Sequence, residues 1–167
     1  INQTMGLPKK SPVEQALVSK MIALLQKGGY EVIFPKNMEK LCCGTIWESK
    51  GMLDIADRKT AELEAALWEA SEQGRYPVLC DQSPCLHRMR ETIRRMKLYE
   101  PAEFIYTFLR DKLVFTPIDR PVAVHITCSM RKMGLADTII ALAHLCSTKV
   151  IVPEEVGCCG FAGDRGF

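Results

Sequence analysis

The stretch Tyr76-Pro77-Val78-Leu79-Cys80-Asp81-Gln82-Ser83-Pro84-Cys85 decides how the rest of the chain is read. Tyr76 to Cys80 is a short apolar run with the composition of a buried strand. Ser83-Pro84 then opens a helix, with proline at a first-turn position where its missing N–H costs nothing. Strand, turn and helix follow directly on one another, with one cysteine at the strand's carboxyl end and another in the first helical turn.

The same alternation extends outward. Ser11-Pro12 starts a helix in which Val13, Ala16, Leu17, Met21, Leu24 and Leu25 recur at helical spacing until Gly28-Gly29. Tyr30 to Phe34 reads as a strand closed by Pro35, and Asp54 to Gln73 as a long amphipathic helix ended by Gly74. The helix begun at Ser83 is expected to reach Lys97, with Arg88, Arg90, Arg94 and Arg95 on a solvated basic face. A further helix runs from Glu100-Pro101 to Leu113, and Thr116 to Pro121 reads as a proline-bounded linker. Val122 to Ile126 is a strand, Ala136 to Cys146 a helix and Val150 to Val152 a strand stopped by Pro153. Short apolar strands separated by helices predict an α/β fold of parallel sheet with helices on both faces, whose ligands sit outside the carboxyl ends of the strands.

Composition limits the function classes. The 167 residues are 47% apolar and 25% charged, which excludes a disordered tail and allows a substantial core. A net charge of +2 with no basic stripe excludes a polyanion reader, so no nucleic-acid partner is expected. The longest apolar-rich run, Ile139 to Cys146, is far below the roughly 20 residues of a membrane span. There is no dinucleotide fingerprint, phosphate loop or Ser-His-Asp order. The chain starts at Ile1 and stops at Phe167 after a glycine-rich stretch, and is read as a piece of a longer protein.

Eight cysteines are the exceptional feature. No export signal accompanies them, so a reduced, cytoplasmic, metal-binding setting is expected rather than a disulfide framework. Cys42-Cys43-Gly44 and Cys158-Cys159-Gly160 repeat one motif, and Met5-Gly6 pairs with Met133-Gly134. Each Met-Gly precedes a helix, then a strand ending in proline, then Cys-Cys-Gly. The repeat divides the chain into a first unit, residues 1–118, and a truncated second unit, residues 119–167. By the same symmetry Cys128 corresponds to a cysteine expected immediately before Ile1.

Soft thiolates at separated turns suit zinc, iron–sulfur or copper(I) and disfavour hard cations. An adjacent cysteine pair spans a mononuclear tetrahedral site poorly, because the intervening peptide is rigid. Two metals of one cluster are easier to reach. Gly44 and Gly160 let backbone pass close to sulfur, where amide N–H groups can hydrogen-bond it. The candidate metal ligands are therefore Cys42, Cys43, Cys80, Cys85, Cys128, Cys158 and Cys159, with Gly44 and Gly160 as cofactor-contacting turns. Cys146 falls on the apolar face of its helix and is expected in the core. His125 reads as a strand-end polar group and His87 as a solvated helix position, while Glu48 and Asp164, six residues after each pair begins, read as helix caps.

Taken together, these elements resemble the cysteine-rich CCG domain of heterodisulfide reductase B subunits, of glycolate and lactate-utilisation oxidase iron–sulfur subunits, and of the C-terminal part of FAD-linked D-lactate dehydrogenases. The wording of Ile1 to Gly6 and of Val156 to Gly163 is most similar to the last. The resemblance implies tandem Rossmann-like units, a 4Fe-4S cluster (with zinc an alternative at one unit) and electron transfer. It also implies an FAD-binding domain or subunit as partner, a D-lactate or glycolate type of substrate and a cytoplasmic location, peripheral to the inner face of the membrane in some settings. Two other functions remain open: a heterodisulfide-reducing catalytic cluster, and a zinc-stabilised docking scaffold. One departure counts against the reductase. Where a second cysteine of Cys-x-x-Cys would follow Cys85, this chain has Arg88.

Overall fold

A computed structural model describes residues 17–154. The helix start at Ser11-Pro12 and the second Cys-Cys-Gly, with Gly160 and Asp164, lie outside the described residues. Backbone contacts divide the chain after Ile33.

In the first part, α1 (Leu17–Lys27) ends as its glycines dictate. Gly29 takes the left-handed conformation, φ 83°, and the Tyr30 N–H reaches back to the Leu25 carbonyl at 3.0 Å. The strand expected at Tyr30 to Phe34 does not form. A run of strand formers becomes a strand only beside a second backbone that takes its N–H and C=O groups. Among the described residues no strand pairs with it.

In the second part, a single turn of 3-10 helix (Met38–Lys40) leads to the cysteine turn, then α2 (Thr45–Glu48) and the long α3 (Leu53–Ala70). The strand β1 (Val78–Leu79) follows, then α4 (Ser83–Thr92) and β2 (Leu98–Tyr99). The two strands pair in parallel, Val78 with Leu98 and Leu79 with Tyr99, so β1–α4–β2 is a strand–helix–strand crossover. The helix begun at Ser83 is thus shorter than its pattern suggested. Ile93 turns to an extended conformation, and the backbone beyond it is drawn into the ladder with β1.

Glu100 caps α5 (Pro101–Phe104), its carboxylate accepting the Ala102 and Glu103 N–H groups while Glu103 answers on the Glu100 N–H. A π turn over Ile105–Leu109 continues it. Tyr99, Phe104 and Phe108 meet there with ring centroids 4.9–5.9 Å apart.

A second crossover runs β3 (Ile118–Ala123), α6 (Cys128–Lys132), α7 (Ala136–Cys146) and β4 (Ser147–Ile151), again with parallel pairing. The expected linker at Thr116 to Pro121 therefore enters a strand at Ile118, and the strand expected at Val122 to Ile126 begins earlier and ends at Ala123. Pro121 has no N–H to give, and the register slips between Ile118 and Pro121. The fully buried Ser147 hydroxyl secures the irregular stretch by donating to the Arg120 carbonyl at 2.6 Å. The architecture is mixed helix and strand, with two short parallel sheets among the described residues.

The core beside the cysteines is built from α4. Leu86, Met89 and Ile93 form one helical stripe and pack with Leu67 of α3, Met96, Leu98 of β2 and Cys43. Leu86 is wholly enclosed. Replacing it by alanine should lower the unfolding free energy by about 2–5 kcal/mol, the cost of lost transfer plus a residual cavity, in a denaturant titration.

Candidate metal centre

Three separate segments deliver four cysteines to one place. Cys42 and Cys43 come from the turn before α2, Cys80 from the carboxyl end of β1, and Cys85 from the first turn of α4. Hydrogen bonding explains the placement of Cys80, whose N–H donates to the Tyr99 carbonyl at 3.0 Å and so extends the β1–β2 ladder by one residue. Cys80 and Cys85 pack against the core cluster that contains Cys43.

The sulfurs sense one another. Cys43 and Cys85 share a hydrogen bond, and this is the main reason the Cys43 thiol is lowered to about 6. Burial opposes the shift, while Thr45, whose hydroxyl oxygen is 3.2 Å from Cys43 Sγ, and the charge of Arg88 assist it. Cys85 is pushed the other way, first by that same hydrogen bond, then by burial and by the sulfurs of Cys43, Cys80 and Cys42. Burial likewise raises Cys80 to about 11. One thiolate is therefore held by neighbouring thiols in a partly desolvated site. All the described cysteines are free. Among the described residues, no three Cys, His, Asp or Glu side chains already close on a point that one ion could fill. The four thiols are neighbours rather than a collapsed single-ion site, for which Zn–S bonds of about 2.3 Å would draw the sulfurs much closer.

The cysteine turn itself is held from behind. Gly44 has φ 88°, and a Cβ there would come within 2.5 Å of the Ala56 carbonyl oxygen and 2.9 Å of Thr60 Oγ1. What demands glycine is thus close passage over α3, not over sulfur as expected. Its N–H nonetheless points to Cys42 Sγ at 3.4 Å. The Cys43 carbonyl accepts two bonds, from Thr60 Oγ1 at 2.8 Å and from Arg88 Nε at 2.9 Å. Arg88 is 4% exposed, and its remaining nitrogens bind Glu48 and, at 2.9 Å, Asp57.

Several sequence expectations change here. Arg88 is no solvated face residue but a buried fork. Arg90 bonds the Leu98 carbonyl and Glu103, and Arg95 lies over the Trp68 ring at 4.4 Å. Glu48 ends α2 and pairs with Arg88 instead of capping a helix. Cys146 is exposed rather than in the core: it is the last residue of α7, a helix none of whose residues is fully buried. His87 faces Glu91 across one helical turn at 3.4 Å, and His125 is exposed.

Cys128 opens α6 and is exposed. Its helix nevertheless meets the start of α4 through three hydroxyls. Ser129 Oγ donates to Ser83 Oγ at 2.8 Å, and Thr127 Oγ1 lies 3.2 Å from each. Ser83 is legible in the sequence as a helix start, whereas the short helix that Thr127 caps is not. Nor is the bond between the two residues.

Two outcomes follow from this geometry. Gly44→Ala should destabilise the metal-free protein by roughly 1–3 kcal/mol in thermal or denaturant unfolding, through a strained φ and contact with α3. The second concerns pH. Between about 6 and the ordinary thiol value of 9.0, Cys43 is ionised only in the folded chain, so folding gains stability as pH rises. Above 9.0 the unfolded chain releases the Cys80 and Cys85 protons that the folded chain keeps, and stability falls. The melting temperature of reduced, metal-free protein should therefore rise from pH 6 to about 9 and then drop, and Cys43→Ser should lack the rise.

Against known proteins, no curated protein and no solved structure matches the chain. A family model does: the cysteine-rich domain CCG, over residues 122–167. The matched span includes Cys128 and the second Cys-Cys-Gly. A domain of this kind is compatible with an iron–sulfur cluster and occurs in redox enzymes. The match does not extend to Cys42 through Cys85, which rest on the geometry above. Residues 122–167 are thus similar to the cysteine-rich domain CCG.

Proposed function

We propose that this chain is an iron–sulfur electron-transfer part of an oxidoreductase, with Cys42, Cys43, Cys80 and Cys85 as the ligands of a 4Fe-4S centre. The observation that carries the reading is the convergence of four free thiols from three segments on one partly buried spot. The donor chemistry fits, since soft thiolate sulfur is what such clusters take.

The chain's own residues prepare that ligation. Cys43 offers a thiolate already, stabilised by the Cys85 thiol and Thr45. Cys85 must release its proton to bind, and the amino end of α4 favours the charge left behind. Gly44 presents an N–H to Cys42 Sγ, a contact of the kind that tunes potential. When bound, the centre supplies one-electron exchange. Leu86, Met89 and Leu98 close the apolar side of the site, which limits water.

The finer reading follows the resemblance. Residues 1–118 and 119–167 are tandem units, Cys128, Cys158 and Cys159 with Gly160 belong to a second ligand set, and zinc at one unit is the alternative. The electrons come from FAD on another domain or subunit that oxidises a D-lactate or glycolate type of 2-hydroxy acid, at the cytoplasmic side. Among the described residues no helix is long and apolar enough to cross a membrane. Arg88 supports an electron carrier over a heterodisulfide-reducing site. The position of the further cysteine is filled by a guanidinium whose three nitrogens each bond one partner, the Cys43 carbonyl, Glu48 and Asp57.

Protein expressed from its complete gene and purified without oxygen should be brown, with iron and sulfide at about four each per occupied site. Cys85→Ser should lose the share belonging to this set. Stoichiometric zinc without iron, or colourless protein, would end the proposal.

A further inference from the structure

We propose that Arg88 is the positioning residue of the cysteine turn: its buried fork fixes the Cys43 carbonyl, and with it the direction of both turn sulfurs, while keeping a fixed positive charge beside them. The inference rests on the iron–sulfur reading above and adds a residue that no cysteine pattern includes.

The geometry is specific to arginine. One planar group donates through Nε to the Cys43 carbonyl at 2.9 Å, and through its two terminal nitrogens to Glu48 and to Asp57, the latter at 2.9 Å. Those partners lie on three consecutive pieces of chain: the cysteine turn, α2 and α3. Arg88 itself sits on α4, one turn after Cys85 and on the same side of the helix, so one rigid element carries both a ligand and the brace for two others. Thr60, from α3, donates to the same Cys43 carbonyl at 2.8 Å.

The charge balance also favours a role at the sulfurs. The Arg88 side chain is 5% exposed, against 44% for Glu48 and 73% for Asp57. Water screens the two carboxylates far more than the guanidinium, so its partners offset the cation's field toward the cysteines only in part. A group of this kind stabilises additional negative charge at the centre, which is what reduction adds.

Complete protein, loaded with its cluster, separates the possibilities through two readouts other than turnover: iron release to a ferrous chelator, and the midpoint potential. Arg88→Gln should release iron about tenfold faster and shift the reduction equilibrium about tenfold toward the oxidised form, a lowering of about 59 mV for one electron. Arg88→Lys keeps the charge but cannot make all three contacts, so its potential should stay near wild type while release remains fast. Thr60→Val, which removes the other donor to Cys43 without changing charge, should speed release and leave the potential alone; with Arg88→Lys it carries the test if Arg88→Gln fails to fold. A wild-type potential in Arg88→Gln, or wild-type iron release in Arg88→Lys and Thr60→Val, overturns the proposal. Failure of the underlying reading looks different, because the wild-type protein would then hold no iron.

Discussion

The second part of the structure is organised around a single peptide carbonyl. Cys43 C=O is buried between α3 and α4 and needs donors there, because an unpaired carbonyl in such a place costs on the order of 1–3 kcal/mol. Thr60 and Arg88 supply them, one from each helix. The next residue must then pass so close to α3 that only glycine fits, in a backbone conformation that other residues seldom adopt. Satisfying one acceptor therefore fixes the turn, and fixing the turn aims two sulfurs at the carboxyl end of β1 and the amino end of α4.

That arrangement explains why a chain with so many thiols leaves its described cysteines unpaired and still brings four of them together. The apolar stripe of α4 sets where the helix lies. β1 and β2 pair through it as a parallel crossover, which sends Cys80 and Cys85 to the same side, as the geometry of parallel sheets requires. Mutual proximity then divides the thiols. A hydrogen bond and a nearby cation favour a thiolate at Cys43, and the proton is kept at Cys85. Packing, not a preformed ionic lattice, does the assembling.

The two crossovers share a plan, parallel strands joined by helix with a cysteine in the first turn that follows. They differ in how that cysteine is placed. Cys85 is packed against the core, whereas Cys128 stands exposed on a short helix tied to α4 by the hydroxyls of Ser83, Thr127 and Ser129. The family match falls on the second crossover and the thiol cluster on the first. Each thus supports the redox reading from an independent direction.

Much of this was legible in the residues. Pro84 and Pro101 marked helix starts, Gly28-Gly29 marked a helix end, and α7 runs from Ala136 to Cys146 as its spacing indicates, whereas α3, expected to reach Gln73, ends at Ala70. The cysteines advertised themselves by number and by the repeated Cys-Cys-Gly, because thiol chemistry belongs to residue type. Tertiary structure decided what depends on a partner. Tyr30 to Phe34 has strand composition but no neighbouring backbone, while Leu98-Tyr99, read as following a longer helix, became a strand because β1 lay beside it. Arg88 looked like one of a row of surface arginines. Its burial was set by two carboxylates and a carbonyl that lie 31 to 45 residues away in the chain, and helical periodicity carries no information about donors and acceptors at that distance. Local spacing determined which residues form helices and which bear sulfur; only long-range packing determined which of them meet.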